Sequence, residues 1–172
     1  MAAKLATDMA SYLLSIADRE PLRWILRERR TAFPIYRRRD AERLVRGDLL
    51  LLYATRGCFR NPTRDRGRVI GVATVKRQAR GLPEPIRFGE REFPIGVDLV
   101  FEALAPRGEG IELAPIVADL PKTFANPRAW SATLRRALVP FDEREARQIV
   151  KQFGEHPASK RVIETYAAVS GR

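Results

Sequence analysis

The stretch Arg46-Gly47-Asp48-Leu49-Leu50-Leu51-Leu52-Tyr53-Ala54-Thr55 decides how this chain is read. Four consecutive leucines without alternation describe a strand covered on both faces. The strand ends in a polar aromatic, Tyr53, and a hydroxyl, Thr55. A basic loop follows, Arg56-Gly57-Cys58-Phe59-Arg60-Asn61-Pro62-Thr63-Arg64-Asp65-Arg66-Gly67, and a second apolar strand returns over residues 68–76. Two core strands that hold up a loop of cations, aromatics and amides make a platform for a charged, flat ligand. A nucleic acid base on its phosphate backbone fits that description.

Working outward, Ser11-Tyr12-Leu13-Leu14-Ser15-Ile16 reads as a first strand. Glu20-Pro21 then opens a helix to about residue 30, because proline's missing N–H costs nothing in the first turn. Leu22, Ile25 and Leu26 form its apolar stripe, and Trp24 falls opposite, placed to cover a loop or strand edge. Residues 31–47 read as irregular, with a short helix over 40–45. Residues 81–85 read as a Pro/Gly linker. Alternation over 95–103 predicts a half-buried strand, Arg107-Gly108-Glu109-Gly110 a turn, and 111–117 a returning strand.

The C-terminal quarter reads as helical. Asn126-Pro127 has the form of an N-cap, after which Trp130, Leu134, Ala137 and Leu138 share one face. Asp142 and Glu145 have capping-box spacing, with Ala146, Ile149, Val150 and Phe153 behind them. Pro157 opens a last helix, 157–168, carrying Val162, Ile163 and Tyr166. Strands in the middle with helices at the ends give an α+β class, and several short strands without crossover helices predict a barrel.

At 172 residues the chain is read as one domain with a core of its own. No apolar run reaches the roughly 20 residues of a membrane span. The first residues lack the order of a signal peptide, and the single cysteine, Cys58, leaves no internal disulfide; both point to the cytoplasm. Net charge is +11, and it is unevenly placed: residues 19–80 hold 18 basic against 6 acidic residues, whereas 81–126 hold 4 against 8. A localised positive field attracts phosphate and gains from counterion release, so nucleic acid is the expected partner.

Catalytic patterns are sparse. His156 is the one histidine, with no neighbouring ligand to make a zinc site and nothing to make a triad. No phosphate-binding or dinucleotide glycine fingerprint occurs, and no cofactor is implied. Glu90 and Glu92 read as a solvated acidic stretch. Cys58 lies beside Arg56 and Arg60, which would lower a thiol pKa, yet an ordinary thiol is the plainer reading. What remains is binding chemistry. Phe33, Tyr36, Tyr53, Phe59 and Trp130 supply ring faces; Thr55 and Asn61 supply edge contacts; Arg37, Arg38, Arg39, Arg56, Arg60, Arg64, Arg66 and Arg68 supply phosphate contacts. Each has a structural alternative: Phe33, Tyr53 and Trp130 as core, Asn61 as a turn former.

Several of these segments together resemble a known family. Ser11 to Ile16, Thr31-Ala32-Phe33, Arg46-Gly47-Asp48 with Tyr53-Ala54-Thr55, Ile70-Gly71-Val72-Ala73-Thr74-Val75 and Phe93-Pro94-Ile95-Gly96-Val97-Asp98-Leu99 look like the EVE domain, a PUA-like barrel related to the YTH readers. The likeness covers about residues 11–150. Phe33 stands where the family usually has tryptophan, Thr55 where it has serine, and Tyr12 in place of an opening-strand tryptophan. The resemblance implies a closed barrel of five to six strands flanked by helices; the last helix, after residue 155, has no counterpart in the family pattern. It implies a pocket between the barrel and residues 31–37, sized for one base. A modified base, flipped or single-stranded, would stack there on Phe33 while Thr55 reads its edge and the arginine loop holds flanking phosphates of DNA or RNA.

Two other readings stand beside it. The related ASCH group is similar in fold and includes nucleases and amidohydrolases, but its glycine-x-lysine signature is not found; Glu28 and Lys76 are the residues such an enzyme would first require testing. A basic protein that binds RNA by charge alone, with no base pocket, is the third.

Overall fold

The computed structural model describes residues 9–167. The chain opens with β1 (Ser11–Ile16), followed by α1 (Arg19–Glu28) and β2 (Arg30–Phe33). A 3-10 turn at Ile35–Arg37 leads into α2 (Arg38–Arg43), then β3 (Leu49–Ala54) and β4 (Arg68–Val75). β5 (Arg80–Phe88) and β6 (Arg91–Leu104) form a long hairpin, and β7 (Ile111–Glu112) is a two-residue bridge. After 3-10 turns at Ala114–Asp119 and Pro127–Ala129 come α3 (Trp130–Thr133), β8 (Leu138–Phe141), α4 (Glu143–Phe153) and α5 (Lys160–Ala167).

The strands make an eight-stranded sheet in the order β2-β6-β4-β3-β1-β8, with β5 added on β6 and β7 on β4. Only β1 and β3 run parallel, Ser11 opposite Leu49 through Ile16 opposite Ala54. The architecture is α+β, but the expected closed barrel is not formed. Both edges of β1 are already occupied, one by β3 and the other by β8. β2 pairs with β6 alone, so no ladder joins β2 to β8 or β1 among the described residues. α1 spans the gap instead. β6 makes the curvature: residues 95–98 face β2, while 99–104 face β4 across a register shift at Val72/Ala73.

The leucine run now has its explanation. Leu50 and Leu52 enter one hydrophobic cluster, under α1, α2 and α5, while Leu51 enters another, under α4 and the Ala114–Asp119 turn. A strand with period two and both faces covered shows no alternation. The preceding Gly47-Asp48 fixes its start. Gly47 has φ +93, a conformation that favours glycine. Asp48 is buried, and its carboxylate accepts Ala10 N–H at 3.0 Å and Val45 N–H at 2.9 Å.

Four local expectations are corrected. Residues 31–47 are not irregular throughout, since β2 pairs there. The 81–85 linker is strand: register skips between Gly81 and Ile86, and Pro83 and Pro85 sit in the skipped stretch, where no ladder N–H is needed. The returning strand over 111–117 stops at Glu112 and becomes a 3-10 turn with Pro115 in its first positions. Leu138 lies on β8 and not on a helix, and Pro140 is tolerated because β8 ends the sheet path.

The capping box is half formed. Asp142 Oδ1 accepts Glu145 N–H at 3.1 Å, but the Glu145 carboxylate turns away and accepts Lys122 N–H at 2.7 Å and Thr123 N–H at 2.9 Å. The last helix is seen as far as Ala167; residue 168, and the initial segment before Met9, lie outside the described residues. No helix among the described residues is long and apolar enough to cross a membrane.

Candidate nucleic-acid interface

The unclosed seam between β1 and β2 is a cleft of about 320 Å³. One wall is the end of β1, Leu14-Ser15-Ile16, and the other is Thr31-Ala32-Phe33 of β2 with Pro34. α1 contributes Pro21 and Ile25, with its N-cap residue Asp18; Phe93 and Thr55 complete the interior. Ser15 N–H donates to Ala137 O at 2.9 Å and Thr55 N–H to Ile16 O at 3.0 Å, so the backbone around the cleft is tied to β8's approach and to β3. The interior is mainly apolar, with hydroxyl residues Ser15, Thr31 and Thr55 placed around it. Tyr36, Arg37, Arg91, Arg135 and Arg136 form its rim.

A second groove, about 670 Å³, adjoins the first and shares Thr55, Leu134 and Arg135 with it. Tyr53, Arg56, Arg66, Gly67 and Trp130 line it. Thr55 therefore sits on the ridge between the two. A third, smaller cavity of about 190 Å³ is lined by Phe59, Arg64, Arg66, Arg68, Arg107 and Tyr166.

The structure distributes the sequence-derived residues unequally over these spaces. Phe33, Tyr36, Thr55 and Arg37 share the first cleft. Phe33 is only 2% exposed, so it is both pocket wall and core. Tyr53, Arg56, Arg66 and Trp130 belong to the second groove. Tyr53 is buried there with its hydroxyl over Gly67; a Cβ at that glycine would lie 1.8 Å from it. Burial pushes the Tyr53 phenol up to about 12. Trp130 is half-buried, edge-on to Phe124 at 6.4 Å.

Phe59 is engaged within the protein: the Tyr166 ring stacks on it at 6.2 Å and the Arg107 guanidinium lies 4.6 Å from its centroid. Asn61 is exposed, and its backbone and side chain close the loop through Arg64 N–H, Asp65 N–H and Thr63 Oγ1, as a turn former does. Neither Asn61, Arg60, Arg38 nor Arg39 lines any of these three spaces.

The arginines differ in availability. Arg38 pairs with Glu42 at 2.8 Å, Arg68 with Glu112 at 3.0 Å and Arg37 with Asp40 at 3.5 Å. Among the described residues, Arg39, Arg56, Arg60, Arg64 and Arg66 enter no ion pair. Nor do Arg91, Arg135 and Arg136, which the sequence reading missed. Arg91 lies over Phe93 at 5.2 Å. These three carry no local pattern; only the fold brings the β6 start and the β8 approach to the mouth of the cleft.

Cys58 is fully buried, and its thiol is pushed up to about 12, first by burial and then by Asp18 and Asp65, with Arg107 opposing. The two flanking cations of the sequence do not activate it. Glu28 pairs with Arg27 at 3.1 Å, and neither it nor Lys76 lines any of the cavities described.

No protein-family profile matches the chain. No curated protein matches it either. Solved structures do. The Rhodopseudomonas palustris protein Rpa0253 is 19% identical over 85% of this chain and 94% of its own, with TM-score 0.52. The DUF55 domain of human thymocyte nuclear protein 1 is 11% identical over 83% of this chain and 98% of its own, with TM-score 0.51. At such identities the likeness shows a shared fold, and the EVE-type resemblance is supported at that level alone. Human THYN1 in complex with 5-methylcytosine-containing DNA also matches, 12% identical over 86% of this chain and 99% of its own, but its TM-score of 0.49 bears on neither fold nor function here.

Proposed function

We propose that this chain is an EVE-type, non-catalytic nucleic-acid-binding protein that takes one modified base, flipped or already unpaired, into the β1–β2 cleft. The observation that carries the reading is the cleft itself: an apolar slot of about 320 Å³ with Arg37, Arg91, Arg135 and Arg136 at its mouth. That volume stands at the small end of ligand pockets, which span roughly 300–1,000 Å³. It suits a single planar ring better than a nucleotide with its sugar and phosphates. The Phe33 and Phe93 side chains and the β1 aliphatics take the ring, the Ser15, Thr31 and Thr55 hydroxyls discriminate its edge, and the rim guanidiniums hold the flanking phosphates. The adjoining groove continues the cationic track through Arg56 and Arg66, with Trp130 beside it.

The absence of a catalytic role in this reading rests on what lines the slot. Asp18 is its one acidic residue, and its Oδ1 is already engaged as the α1 N-cap, accepting Glu20 N–H at 3.1 Å. A hydrolase on this site would need a second acid–base group or an activated nucleophile facing the ring.

The test is anisotropy binding of short DNA and RNA strands that differ at one central base: plain cytosine or adenine, 5-methylcytosine, 5-hydroxymethylcytosine, 5-formylcytosine and N6-methyladenine. One modified strand should bind about tenfold more tightly than its plain counterpart, some 1.4 kcal/mol. Thr55→Val should erase that preference while leaving salt-sensitive binding in place. Equal affinity for every strand would mean binding by charge alone and would end the pocket reading.

A further inference from the structure

Ile35 and Tyr36 are 62% and 72% exposed, the two most exposed large hydrophobic side chains among the described residues. They stand side by side in the 3-10 turn Ile35–Arg37, at the rim of the cleft, and Tyr36 lines its mouth. The turn is held from both ends. Phe33 before it and Ala41 and Leu44 after it are buried in the core, and Arg37 N–H closes it on Pro34 O at 2.9 Å. Pro34 fixes the backbone at its start, with φ −69. An aliphatic and an aromatic side chain are thus held out into water on a rigid knuckle. Beside them are Arg37, whose guanidinium lies 5.9 Å from the Tyr36 centroid, and Arg91, which lines the same cleft mouth as Tyr36. Apolar exposure framed by cations matches a base stack inside a phosphate backbone, and it is unsuited to a lipid-facing or purely apolar partner.

We infer that Ile35 and Tyr36 form a wedge that enters a duplex where one base has been extruded, so that the substrate is double-stranded nucleic acid opened at a single position. The inference rests on the base-pocket reading above and adds the form of the partner. Extrusion leaves the orphaned base unpaired and its neighbours without a stacking partner, at a cost of a few kcal/mol. An inserted apolar side chain fills that hole. The geometry joins the two events: the turn that carries the wedge follows directly on the slot-lining strand β2, with Ile35 two residues past Phe33. A strand that is already single needs the slot and the cations but has no hole to fill.

The experiment compares each modified strand of the panel alone and annealed to its complement, using wild type and an Ile35→Ser variant. Ile35 is exposed and, unlike Tyr36, does not line the cleft, so the variant should keep the wild-type melting temperature and an intact pocket. A 2-aminopurine placed next to the modified base reports unstacking. Wild type should bind the modified duplex and raise the 2-aminopurine signal. The variant should lose about tenfold or more in duplex affinity together with that signal, and change less than about twofold on the single strand. Wild-type binding to the strand but not to the duplex, or equal losses on both, overturns the wedge and leaves the pocket standing. Failure of wild type to prefer any modified strand in either form removes the pocket reading and the wedge with it.

Discussion

At the scale of single residues, the Gly47-Asp48 pair is structural and Thr55 is the side chain on which the proposed recognition turns. Asp48 is 1% exposed and satisfies two backbone donors from separate segments, Ala10 before β1 and Val45 after α2. It thereby starts the β1–β3 parallel pairing that carries Ser15 and Thr55 to the cleft. Removing its carboxylate leaves two poorly hydrated N–H groups, each costing about 1–3 kcal/mol. Asp48→Ala should lower urea-derived stability by about 3 kcal/mol, and Asp48→Asn, which keeps one acceptor, should lose roughly half as much. A loss under about 1 kcal/mol for the alanine variant would show that water replaces the carboxylate. Thr55 differs in kind. It lies one residue past β3, half-buried, on the ridge shared by both grooves. Thr55→Val should therefore leave stability nearly unchanged while altering discrimination.

At the scale of elements, the C-terminal helix that the sequence set apart from the family pattern is part of the core. Tyr166 of α5 is 1% exposed; its hydroxyl donates to Ala105 O at 2.5 Å, and its own carbonyl accepts from Arg23 Nε of α1 at 2.9 Å. Arg107 N–H donates to Thr165 Oγ1 at 3.0 Å, and the Tyr166 ring stacks on Phe59. Tyr166→Ala should cost about 3–5 kcal/mol by chemical denaturation, against about 1 kcal/mol for Tyr166→Phe, which loses only the hydrogen bond. Near-equal costs would mean that the ring contributes little and α5 is an appendage. The same elements show what a sequence displays. β1, β3, β4 and β6 were legible because their side chains alone fill a core, as the leucine run does. β2, β5 and β8 were not: β2 is four residues long, and β5 and β8 contain prolines that only a register skip or a sheet end makes acceptable. The site divides differently. Thr55 adjoins the readable strand β3, and Phe33 and Tyr36 were legible as rings in a basic segment, whereas Ser15 of β1 and Arg91, Arg135 and Arg136 meet only through the unclosed β1–β2 seam, which the expectation of a closed barrel had removed.

At the scale of the whole molecule, net charge of +11 matters through where unpaired guanidiniums lie. Arg91, Arg135 and Arg136 at the cleft and Arg56 and Arg66 in the adjoining groove form one track without ion-pair partners among the described residues. Arg38 and Arg68 are neutralised by Glu42 and Glu112. Each phosphate contact with a single strand contributes roughly −0.7 to the slope of log K against log salt. Five contacts along the track give a slope of about −3.5. Arg135→Gln, at the junction of both grooves, should reduce the slope by about 0.7 and weaken plain and modified strands alike, whereas Arg68→Gln should leave it within error. Titrating binding from low to physiological salt measures these slopes directly. If Arg68→Gln lowers the slope as much as Arg135→Gln does, phosphates spread over the general basic surface and the track has no special place. If Arg135→Gln alone lowers it, the positive field is organised around the cleft by the fold, which joins Arg56 and Arg66 of the basic 19–80 stretch to Arg91, Arg135 and Arg136 from outside it.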